Sequence, residues 1–78
     1  MTTLRYTIVL LPEEEGGYSV SVPALPGCCT QGDTRDEAMA MAKEAIELYL
    51  EDLKANGEPI PDESSVEYLV IEVDEPPG

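Results

Sequence analysis

The sequence predicts a small α+β fold of order β-β-β-α-β, an antiparallel-rich sheet with one helix packed on one face. Three observations predict it. Apolar residues alternate with period two over Leu4–Leu11 and again over Tyr18–Val22. One long stretch, about Arg35 to Asn56, switches to helical spacing behind a capping motif. Alternation then returns over Val66–Val73.

In the first strand Leu4, Tyr6, Ile8 and Leu10 share one face, and Arg5, Thr7, Val9 and Leu11 share the other. Pro12 removes a backbone donor, and Glu13-Glu14-Glu15-Gly16-Gly17 follows as a charged turn. Tyr18, Val20 and Val22 form the next apolar row, so the two strands read as a hairpin. Pro23 closes the second strand. Leu25-Pro26-Gly27-Cys28 suits a type II turn, since proline presets the first central residue and glycine accepts the positive φ of the second.

Cys28–Gln31 offers a short third strand before Gly32. Asp33 or Thr34 then caps the helix, and Thr34 with Glu37 forms a capping box. Asp36 and Glu37 suit the positive end of the helix dipole, and Gly57 is the left-handed stop. The helix presents Ala38, Met41, Ala42, Ala45, Leu48, Tyr49 and Leu53 to the core, while Met39, Ile46 and Leu50 widen the stripe beyond one core-facing band. Pro59 and Pro61 mark the exit loop. The last strand is apolar on both sides, with Val66, Tyr68 and Val70 opposite Leu69, Ile71 and Val73. Residues 1–75 are expected to form one domain, with 76–78 as a frayed end.

A chain of 78 residues buries only about 60% of the surface of its unfolded form, so its core is marginal. Neither a disulfide framework nor a metal site compensates, which makes association with another chain the expectation. One helix covers only one side of a sheet whose first and last strands are apolar on both sides. The uncovered face is therefore an interaction surface, and self-association to a dimer or tetramer through edge strands or this bare face is expected.

Seventeen Asp and Glu against four Lys and Arg leave a formal charge of −13. The four cations, Arg5, Arg35, Lys43 and Lys54, are scattered, so direct nucleic-acid binding is not expected; a basic protein is the natural complement. Nothing near 20 consecutive apolar residues occurs, and Met1–Arg5 leads straight into an alternating strand, so neither a membrane span nor a secretory signal is expected and the location is cytoplasmic. Cys28 and Cys29 are adjacent, a spacing at which a disulfide is strained and closes almost no loop.

Catalysis is not expected. There is no histidine to act as base near neutral pH. Nothing beside Cys28 or Cys29 favours a thiolate, and one of the pair should pack inward as a small hydrophobe. No Asp-x-Asp-x-Asp-Gly loop is present for Ca²⁺, and two adjacent cysteines cannot close a zinc site, so no metal or cofactor is expected. Glu13, Glu14 and Glu15 read as a solvated acidic loop and as candidate contacts for a basic partner, together with Leu69 and Ile71 of the last strand. Tyr18 has two readings, a cross-strand aromatic or a partner contact, and both can hold at once.

The string Gly16-Gly17-Tyr18, Val22-Pro23-Ala24-Leu25-Pro26-Gly27-Cys28 and Thr30-Gln31-Gly32-Asp33-Thr34-Arg35-Asp36-Glu37-Ala38 resembles the hallmark of the HicB-type antitoxin family. Glu44-Ala45-Ile46 and Gly57-x-Pro59-x-Pro61 extend the resemblance over nearly the whole chain. It implies a partial ribonuclease H-like fold and an acidic partner of a small basic HicA-type ribonuclease toxin, which has a double-stranded-RNA-binding-like fold and cleaves messenger RNA with a histidine. The implied mechanism is occlusion of the toxin's RNA site. Ribonuclease H activity is not carried over, because that site needs a carboxylate in the first strand, where Leu4–Leu11 offers only Arg5. Many family members continue into a DNA-binding domain; with the chain ending at Gly78, autonomous promoter binding is not expected. The competing readings are a homo-oligomeric scaffold or ligand-binding domain with no toxin, and a thiol-dependent enzyme.

Overall fold

The structure is a computed structural model that describes residues 3–78; residues 1 and 2 of the expected domain lie outside the described residues. Three strands, β1 (Val9–Pro12), β2 (Tyr18–Ser21) and β3 (Cys29–Gly32), form an antiparallel sheet of order β1-β2-β3. The helix α1 (Arg35–Ala55) follows, and a 3-10 turn, Glu63–Ser65, lies beyond it.

The hairpin closes as its sequence predicts. The Glu13 amide donates to the Gly17 carbonyl and the Gly16 amide to the Glu13 carbonyl, both at 3.0 Å, with both glycines at positive φ. The register pairs Leu10 with Val20 and Pro12 with Tyr18. At the next corner Gly27 has φ 81° and the Cys28 amide donates to the Leu25 carbonyl at 2.9 Å, the geometry of the expected type II turn.

The helix begins on Thr34, whose hydroxyl accepts from the Glu37 amide at 3.1 Å. Glu37 reaches back one residue further than the usual capping box, accepting from the Asp33 amide at 3.1 Å. At the other end the Gly57 amide donates to Lys54 and the Glu58 amide to Leu53, the paired bonds of a Schellman stop.

The helix lies across β3 and β2. Ala38 and Ala42 pack on Val20 to form one core cluster, and Val22, Leu25 and Cys28 form a second under Ala45, Ile46, Tyr49 and Leu50. Small residues let the helix approach closely. A Cβ on Gly32 would stand 2.4 Å from the Ala38 amide nitrogen, so only glycine fits there. Met41 and Leu48, assigned to the core by helical spacing, are exposed instead. The sheet beneath the helix is three short strands wide, so the inward band is narrower than the apolar stripe.

Two strand expectations need correction. The alternation over Leu4–Leu11 yields a ladder only from Val9 to Pro12, because β2 ends at Ser21. Beyond Ser21 the Val22 amide turns to the Cys28 carbonyl and Pro23 has no amide, so residues 4–8 have no strand opposite them. The fourth strand expected over Val66–Val73 does not join the sheet. Leu69, Val70, Ile71 and Val73 are 81%, 95%, 82% and 84% exposed. Period-two alternation describes which way side chains point; it does not name the chain that supplies the ladder partner.

Candidate functional site

Three places outside the core bear on function: the acidic hairpin tip, the open edge at residues 4–8, and the C-terminal arm at residues 66–73.

At the hairpin tip, Glu13, Glu14 and Glu15 are exposed and line a shallow depression of about 530 Å³ with Gly16 and Gln31. The turn bonds hold the three carboxylates around one corner of the sheet. Tyr18 sits directly behind them, half-buried against the Val20–Ala38–Ala42 cluster and opposite Gly32 on β3. These four sequence-assigned residues are thus brought together at one end of the sheet. Leu69 and Ile71 are on the arm and form a separate place.

The open edge was not singled out by sequence reasoning. Tyr6, Ile8 and Leu10 are half-buried while Arg5, Thr7 and Val9 point outward, so the alternation continues past the end of the ladder. Between this edge and the helix lies an open groove of about 510 Å³, floored by Leu4, Ile8, Met39, Ala42, Ile46 and Leu50 and bordered by Lys43 and Glu47. The signal in the sequence was the surplus width of the helical stripe at Met39, Ile46 and Leu50. Those residues face past β2 toward the position a fourth strand would occupy.

The root of the arm is tied to this edge. The Tyr6 hydroxyl donates to the Pro61 carbonyl at 2.9 Å, and the Thr7 hydroxyl donates to a Glu63 carboxylate oxygen at 3.0 Å while the Thr7 amide donates to the other. Burial, reinforced by Asp62 and Glu63, pushes the Tyr6 phenol above its ordinary value. Asp62 caps the 3-10 turn by accepting from the Ser64 amide at 2.9 Å, and this bond holds its carboxyl below the usual carboxylate range.

Cys28 is buried and Cys29 exposed, both as free thiols, which matches the expected one-in, one-out arrangement. Burial, and secondarily the neighbouring Cys29, raises the Cys28 thiol, the opposite of what a nucleophile needs. Among the described residues no three Asp, Glu or Cys side chains converge as metal ligands, and no helix is long and apolar enough to cross a membrane.

Residues 6–75 match the family described as HicB-like antitoxin of bacterial toxin-antitoxin system. A UPF0150 protein of Thermoplasma acidophilum is 48% identical, the match covering 86% of this chain and 97% of the relative. The Antitoxin HicB of Escherichia coli K12 is 38% identical over 87% of this chain and 52% of its own length. The Antitoxin HicB 1 of Photorhabdus laumondii is 53% identical over 63% of this chain and 34% of its own. The chain therefore spans about a third to a half of the relatives that carry the antitoxin name, and nearly all of the Thermoplasma protein.

Proposed function

The chain belongs to the HicB-like antitoxins of bacterial toxin-antitoxin systems, and from that premise we propose that it neutralises a small basic, RNA-cleaving toxin of the HicA type by covering the surface on which RNA docks. The observation that carries this reading is the charge of −13 spread over a surface with only four cations. A protein that must hold RNA presents a basic face, and an acidic chain both finds that face quickly and competes for it. The hairpin tip, with Glu13, Glu14 and Glu15 in front of Tyr18, supplies a cluster of carboxylates with an aromatic beside them. Leu69 and Ile71 add exposed apolar surface whose burial slows release.

This mechanism needs no bond-making by the antitoxin. The raised Cys28 thiol supports that view, as does a chain without histidine. The reading locates the protein in the cytoplasm, where such a toxin meets messenger RNA, and includes self-association of the chain to a dimer or tetramer. The arm's exposed apolar residues support the latter.

The test is titration of a purified basic ribonuclease toxin of this type, encoded beside the chain, with the full protein. Stoichiometric loss of RNA cleavage is expected, with a one-to-one complex whose affinity falls as salt rises. Absence of binding at micromolar concentration sinks the reading and favours a toxin-free homo-oligomer.

A further inference from the structure

The helix takes one face of the sheet, where Leu10 and Val20 pack beneath Ala38 and Ala42, and leaves the other bare. The register composes the bare face from two rows across the three strands: Val9, Ser21 and Cys29 in one, Leu11, Ser19 and Gln31 in the other. We propose that this face seats the chain's basic protein partner, with Val9 and Leu11 as apolar contacts and the carboxylates of residues 13–15 as the charged end of the same surface. The inference rests on the function proposed above and deepens it, by naming the surface to which the acidic tip belongs.

The central strand contributes only Ser19 and Ser21 to this face, so it is low in the middle, with the larger side chains of β1 and β3 along its sides. Leu11, Ser21, Cys29 and Gln31 are all exposed. A side chain protruding from a partner meets apolar groups at one wall and hydroxyls at the floor that donate or accept a hydrogen bond. The face also runs without a break into the tip. Gln31 closes the Leu11 row and lines the depression formed by Glu13, Glu14, Glu15 and Gly16.

The placing of the four cations decides what can occupy the face. Lys43 borders the groove at the open edge, Arg5 and Lys54 line the adjoining hollow at the root of the arm, and Arg35 opens the helix on the other side of the sheet. Neither row of the bare face contains a cation. A basic protein brought to the open edge therefore meets three of the chain's four cations. Brought to the bare face it meets none and gains the carboxylates of the tip. A second copy would bring a further charge of −13 to a face with no cation to receive it, so the same distribution opposes self-association there. Nucleic acid is opposed for the same reason.

The test uses the full chain and the purified basic toxin of the titration above. With toxin saturating, the exposed Cys29 thiol is expected to alkylate about tenfold more slowly than in the free chain, with buried Cys28 as the unreactive reference. Leu11→Arg is expected to raise the toxin dissociation constant about a hundredfold. Leu48→Arg makes the same change of charge at a helix position that is also 58% exposed, and is expected to raise it less than about threefold. Circular dichroism checks that both variants keep the helix. Binding with Cys29 labelling at its free rate, or equal weakening by the two substitutions, overturns this inference and leaves the proposed function standing. Protection of Cys29 that grows with the chain's own concentration, before toxin is added, gives the face to a second copy and also overturns it. Absence of any binding removes the proposed function, and this inference with it.

Discussion

Of the glycines, Gly32 has the least room for a side chain. A Cβ there would meet the Ala38 amide nitrogen at 2.4 Å and its Cα at 2.6 Å, both backbone atoms that cannot swing aside. Gly32→Ala must push the first turn of α1 off β3, at a cost of about 2 kcal/mol and a fall of about 10 °C in Tm, measured by thermal melting. The two cysteines differ by environment alone. Cys29 is expected to react with an alkylating reagent in the folded protein, whereas Cys28 labels only on unfolding. The raised Cys28 thiol favours the fold while protonated. Its contribution is complete below the ordinary thiol value of about 8.5 and is lost as pH rises through the higher folded value. Timed alkylation across alkaline pH checks both points, and fast labelling of Cys28 at neutral pH would instead favour the thiol-enzyme reading.

At the scale of elements, the helix rests on its caps. Thr34 satisfies the Glu37 amide and Glu37 satisfies that of Asp33, so the reciprocal pair spans the junction between β3 and α1. Thr34→Ala is expected to cost about 1 kcal/mol, read from chemical denaturation. The β-hairpin, the type II corner, the capping box and the glycine stop were all legible in the sequence, because each depends on residues only a few positions apart. Strand extent was not. Whether Leu4–Ile8 forms a ladder depends on where β2 stops, and β2 stops because the Val22 amide is claimed by Cys28. Met41 and Leu48 show the same limit, since helical spacing defines a stripe but the width of the sheet decides how much of it is covered.

For the whole molecule, two kinds of surface have separate consequences. In the proposed function the net charge of −13 speeds encounter with a basic toxin, and the affinity of that complex is expected to fall as salt rises. The exposed apolar residues of the arm support the proposed self-association. Of the candidate site, Glu13, Glu14, Glu15 and Tyr18 were legible as a charged turn followed by an aromatic. The groove appeared only once the helix had been laid across β2 and β3. Sequence alone determined the order of the first three strands and the helix, their turns and caps, the acidity and the family resemblance, because these rest on local chemistry and on composition. Tertiary structure alone decided that the fourth alternating segment stands clear of its own sheet and that three of four cations gather at the vacant edge. Those facts depend on which distant segments meet, and side-chain periodicity carries no information about that.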